Sequence, residues 1–164
     1  MERVLDGVIY ESSDDGVSWT VARVVDRKSV TAVVVPDGVV EIGAFAFAGC
    51  RALVSVTIPA SVVKIGEAAF YACSSLASLV VPESVKEIGP FAWADCHCLA
   101  SLILPRDASV GVLAFSGCRS LFSVRSHTGE PIDATKLAEV FVWSCSRIEV
   151  AEMKERLVGK LRWA

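Results

Sequence analysis

Leu53-Val54-Ser55-Val56-Thr57-Ile58-Pro59, a spacer at Ala60-Ser61, then Val62-Val63-Lys64-Ile65-Gly66 and Glu67-Ala68-Ala69-Phe70-Tyr71-Ala72-Cys73 form one unit of a sequence that recurs every 23 residues. Val35-Pro36, Ile58-Pro59, Val81-Pro82 and Leu104-Pro105 hold the phase, and Ile42-Gly43, Ile65-Gly66 and Ile88-Gly89 follow at the same interval. Phe47, Phe70 and Trp93 keep it too, as do Cys50, Cys73 and Cys96, with Cys118 one residue early. A period of this length marks stacked supersecondary units, each too small to bury its apolar side alone.

Within a unit, the first stretch alternates and is rich in β-branched residues, which predicts a short strand ended by proline. The middle stretch is a second extended segment. The glycine after it is expected to permit a sharp reversal. The Ala-rich stretch before the cysteine is expected to form a single helical turn with Phe70 inward. Stacking in parallel then builds buried columns: Leu53, Leu76, Leu99 and Leu121; Val56, Leu79, Leu102 and Val124; Ile58, Val81 and Leu104. Phe47, Phe70, Trp93 and Phe115 fill the opposite wall.

The pattern decays toward the end. The fourth unit is a residue short at Asp107 to Gly111, and Thr128-Gly129-Glu130-Pro131 reads as an inserted turn. Leu137 to Cys145 matches Ile42 to Cys50, and Ile148 takes the place of Leu53. Three parts are expected in one domain: a capping segment over 1–29, an array of about five units over 30–148, and a capping helix over 149–164. In the first part Val8-Ile9-Tyr10 and Trp19-Thr20-Val21-Ala22, separated by Asp14-Asp15-Gly16, read as a hairpin. In the last, Val150, Met153, Leu157 and Leu161 share a helical face.

The motif L-x-x-V-x-I-P-x-S-V-x-x-I-G-x-x-A-F-x-x-C, present as Leu53 to Cys73 and, with Trp93 for Phe, as Leu76 to Cys96, resembles the BspA-type leucine-rich repeats. The resemblance covers roughly residues 30–148 and extends to the lead-in at Gly7 to Val25. It implies a curved solenoid with short parallel strands on a concave face and extended or short helical segments on the convex side. It also implies protein binding, since many family members are surface or secreted proteins that bind other proteins.

Composition narrows the function classes. The chain has 164 residues, 53% of them hydrophobic and 21% charged, with a net charge of −3. No apolar run approaches the length of a membrane helix. The acidic balance argues against a nucleic-acid partner. The N-terminal Met1 to Gly7 has no apolar signal region, which favours an intracellular location. Cell-surface or secreted placement stays open if a leader has been removed.

Chemistry-bearing residues are sparse. Asp95-Cys96-His97-Cys98 is the most ligand-like cluster, but Cys96 already belongs to the repeat and no second ligand pair lies nearby. The cysteines are therefore expected to be free, buried thiols, with no metal and no cofactor. His97 and His127 sit in no nucleophile, phosphate-loop or metalloprotease motif, so no catalytic residues are expected.

The outward positions of the short strands carry the functional reading. One column is Val34, Thr57, Val80, Ile103 and Arg125; the next is Ala32, Ser55, Ser78, Ser101 and Ser123; the third is Thr31, Val54, Ala77, Ala100 and Phe122. A mostly uncharged face of this kind is expected to be a protein-interaction site, with Val34, Thr57, Val80, Ile103, Arg125 and Phe122 as its contacts; the alternative is that valine and isoleucine stand there for strand propensity alone. The expected function is a non-catalytic protein-binding module. The alternative is a structural subunit packed permanently in a larger assembly or homo-oligomer.

Overall fold

In the computed structural model, which describes residues 2–13, 16–129 and 132, the chain winds as a solenoid of about five turns. Two short strands recur in each turn. One series is β4 (Ala32–Val34), β6 (Ser55–Thr57), β8 (Ser78–Val80), β10 (Ser101–Leu104) and β12 (Ser123–Ser126). The other is β5 (Val39–Ile42), β7 (Lys64–Ile65), β9 (Glu87–Ile88) and β11 (Ser109–Val110). Pairing within each series is parallel, with Ser78, Ser101 and Ser123 in one register row and Ile42, Ile65, Ile88 and Val110 in another. Identical repeat positions therefore lie above one another, roughly 4.8 Å apart where strands pair.

The Leu53, Leu76, Leu99 and Leu121 column is buried, and so are Leu79, Leu102 and Val124 and the Ile58, Val81 and Leu104 set. Val56 packs against them half-buried. On the far wall the rings of Phe47, Phe70, Trp93 and Phe115 stack with centroids 5.1, 5.9 and 5.4 Å apart and nearly parallel planes. Between the two series, Ser61 Oγ donates to Val39 O at 2.8 Å and Ser84 Oγ to Val62 O at 2.6 Å, so in the two repeats where serine follows the Pro-x turn it ties its rung to the one before. Lys64 lies 3.8 Å from both Glu41 and Glu87 on the second series. These contacts are partly solvent-exposed and contribute little.

Two local expectations are corrected. The Ala-rich stretch forms turns instead of a helical turn. Its N–H groups donate across to the next rung: Phe47 to Ala69 O at 2.7 Å, Phe70 to Ala92 O and Trp93 to Ala114 O at 2.8 Å. An α-helix would need those donors for its own i→i−4 bonds. Left-handed residues at two positions per unit complete the break: Phe45, Ala68, Phe91 and Leu113 at one, Gly49, Ala72, Asp95 and Gly117 at the other. The glycine that follows each isoleucine is not a left-handed reversal either. A Cβ on Gly66 would lie 2.6 Å from Ala44 N, and one on Gly89 2.5 Å from Glu67 N. The glycine is there because successive rungs touch backbone to backbone.

At the N-terminal end β2 (Val8–Ser12) and β3 (Trp19–Val24) pair antiparallel, and an unforeseen β1 (Glu2–Leu5) adds to the outer edge of β2. The Arg3 guanidinium stacks over the Trp19 ring at 4.6 Å. β3 then pairs parallel with β5, so these strands and the second series form one seven-stranded sheet. The repeat-like stretch Leu137 to Cys145, Ile148 and the helix expected over 149–164 lie outside the described residues.

Candidate protein-binding face

Alternation along the first series sends every second side chain outward. In β4, Val33 is buried while Ala32 and Val34 are exposed; in β8, Leu79 is buried while Ser78 and Val80 are exposed. Val34 is 70% exposed, Val80 52% and Phe122 54%, with Thr57 and Arg125 also exposed and Ile103 half-buried. Register places Val34 beside Thr57, and Ile103 between Val80 and Arg125. Phe122 lies one residue before β12, its N–H donating to Ala100 O at 3.1 Å. Val54, in the same column as Phe122, is just as exposed. The central row of Ser55, Ser78, Ser101 and Ser123 is small, so a partner backbone can approach closely.

Both histidines serve backbone carbonyls. His97 Nδ1 bonds Gly117 O at 3.0 Å. His127 Nε2 donates to Val81 O at 2.6 Å. The reason lies in the ladder: Val81 N–H donates to Ile103 O, and the next donor back toward Val81 O would be residue 105, a proline without an N–H. His127 fills that position from the following turn, which fixes its Nε2–H tautomer.

In the Asp95-Cys96-His97-Cys98 cluster the residues part company. Cys96 is buried and its thiol bonds Phe70 O at 3.1 Å, while His97 and Cys98 are exposed. Asp95 accepts a hydrogen bond from the Tyr71 hydroxyl, which raises the pKa of that phenol. No group of three or more metal-donor side chains occurs among the described residues.

The cysteine column is held the same way. Cys73 Sγ donates to Phe47 O at 3.1 Å and Cys118 Sγ to Trp93 O at 3.0 Å. Burial pushes the thiols up from the ordinary 9.0, to about 11 at Cys50 and about 12 at Cys73 and Cys118, and raises Cys96 as well. Since the thiolate is the reactive form, brief iodoacetamide treatment at neutral pH, read by peptide mapping, is expected to label exposed Cys98 and spare these four. Rapid labelling of Cys73 or Cys96 would contradict the packing. The folded state also holds these protons more tightly than the unfolded chain. Their contribution to stability is therefore full below about pH 9 and falls as pH rises from there through 11 to 12.

Parallel rungs, a leucine column and an outward-facing strand row define a leucine-rich-repeat solenoid. The model of the BspA type leucine-rich repeat region matches residues 24–148 in six copies, and the chain belongs to that family. Among solved structures it is similar to a leucine-rich repeat protein of T. pallidum, at 28% identity and a TM-score of 0.61, covering 76% of this chain and 71% of that one. A leucine-rich repeat protein of Bacteroides ovatus is 30% identical with a TM-score of 0.67, over 75% of this chain and 40% of that one. One from Bacteroides capillosus is 25% identical with a TM-score of 0.68, over 77% of this chain and 98% of that one. The chain thus spans well under half of the B. ovatus protein. No curated protein matches it.

Proposed function

We propose that this chain is a non-catalytic module that binds another protein on its short-strand face, through Val34, Thr57, Val80, Ile103, Arg125 and Phe122. The observation that carries the reading is the outward exposure of large apolar side chains in adjacent columns over a buried apolar interior. Strand propensity alone accounts for valine and isoleucine there. It does not account for Phe122, an exposed aromatic residue outside any strand.

The test is a quantitative pull-down from native extract with wild type and the Val80→Asp plus Ile103→Asp double variant. Both side chains sit outside the buried columns, so circular dichroism should be unchanged. Capture of a specific protein should fall at least tenfold. Undiminished capture by the folded variant would remove the face as the binding site. A protein that co-purifies with wild type in fixed stoichiometry would mark a permanent subunit.

A further inference from the structure

The corner that leads into each short strand carries a row of basic residues. Lys28, Arg51 and Arg119 occupy the same position in three repeats, with Ser74 and His97 in the other two, and all but half-buried Ser74 are exposed. The corners share a backbone geometry: Arg51 N donates to Gly49 O at 2.8 Å, His97 N to Asp95 O at 3.0 Å and Arg119 N to Gly117 O at 2.9 Å. Each of these residues lies three positions before the outermost exposed column, so Arg51 precedes Val54 and Arg119 precedes Phe122.

Two carboxylates share this edge, each hydrogen-bonded locally and each keeping its charge. Asp26 Oδ1 accepts from Lys28 N at 3.0 Å, and Asp95 accepts from Tyr71. Along the opposite edge the residues after each proline are Asp37, Ala60, Glu83 and Arg106, of mixed sign. Even with Asp26 and Asp95 beside them, Lys28, Arg51 and Arg119 leave an excess of positive charge at these corners, along one side of a strand face whose only charged side chain in the outward columns is Arg125, in a chain with a net charge of −3.

From this juxtaposition we infer that the partner presents an extended acidic segment. Its apolar side chains lie on Val34, Val54, Val80 and Phe122 while its carboxylates meet Arg51 and Arg119. Spacing agrees: three rungs separate Arg51 from Arg119, about 14 Å, and same-side residues four apart on an extended chain are about 13 Å apart. A protein segment fits better than a nucleic acid. Single strands bind on aromatic stacking platforms, and the large exposed side chains here are mostly aliphatic. The inference rests on the short-strand face being the binding site.

The test uses the full chain and three fluorescein-labelled probes: three repeats of Asp-Val-Ser-Leu, the same peptide with Lys for Asp, and a short oligothymidylate. Anisotropy titrations are run on wild type, Arg51→Glu plus Arg119→Glu, and Val80→Asp plus Ile103→Asp, each first checked for folding. The acidic peptide should bind wild type at least tenfold more tightly than the lysine peptide and weaken as salt rises. The arginine variant should lose that preference, and the Val80/Ile103 variant should lose both peptides.

Equal binding of the two peptides, still lost in the Val80/Ile103 variant, would overturn the acidic partner and leave the face standing. Acidic binding lost only in the arginine variant would overturn the shared site and the face with it. Tighter binding of the oligonucleotide than of the acidic peptide, or no peptide binding at all, would also overturn the inference.

Discussion

Gly89→Ala is expected to cost about 4 kcal/mol or more, which places it in the exceptional tail of single substitutions. The added Cβ would lie 2.5 Å from Glu67 N, 2.6 Å from Gly66 C and 2.9 Å from Glu67 Cα. All three are backbone atoms, so no side chain can swing aside. Nor can the rungs separate cheaply, because Gly89 N donates to Ile65 O at 2.8 Å and β7 pairs with β9 through Ile65 and Ile88. In a stack whose stability is summed over neighbouring interfaces, a failed central interface uncouples the two halves. Gly38→Ala is the control: nothing lies within 4 Å of its Cβ, and only its positive φ of 89° is unfavourable. That variant should lose about 1–2 kcal/mol. Urea unfolding followed by circular dichroism distinguishes them, and a loss below about 1 kcal/mol for Gly89→Ala would refute the backbone contact.

The same glycine shows where the sequence stopped being informative. Its 23-residue phase was plain, and so were the buried columns, because alternation and periodicity are local properties of the chain. Its reason was not legible: the atoms that exclude a side chain from Gly89 belong to residues 66 and 67. The stretch from Glu67 to Ala72 failed for a related cause. Its alanines favour a helix in isolation, but the N–H groups of Ala68, Phe70 and Ala72 are claimed by the next rung. β1 was missed because all of Glu2 to Leu5 is exposed and carries no buried alternation to read. The His127 bond to Val81 has no local signature, because it joins residues 46 apart and fills a gap that Pro105 leaves in the ladder. For the candidate face, the outward positions follow from strand alternation alone. The basic row shared the repeat phase and could have been read from it, but its value depends on lying beside that face.

Phe70→Ala is expected to cost about 3–5 kcal/mol, whereas Trp93→Phe, one rung away in the same column, should stay within about 1 kcal/mol of wild type. Phe70 is fully buried, with its ring at 5.1 Å from Phe47 and 5.9 Å from Trp93, so truncation opens a void lined by two rings that cannot collapse into it. Trp93 is equally buried, but among the described residues its Nε1–H has no acceptor. An unsatisfied buried donor costs about 1–3 kcal/mol. Replacement by phenylalanine removes that donor along with part of the ring volume, so the lost packing and the relieved desolvation act in opposite directions. It also restores the residue type of Phe47, Phe70 and Phe115. Unfolding of the two variants by urea at the same pH compares them directly. If Trp93→Phe loses as much as Phe70→Ala, the indole N–H has a partner and the column is specified by hydrogen bonding as well as shape. A near-neutral result would mean that the column selects for a flat ring of sufficient volume, and that Trp93 is tolerated despite its polar atom.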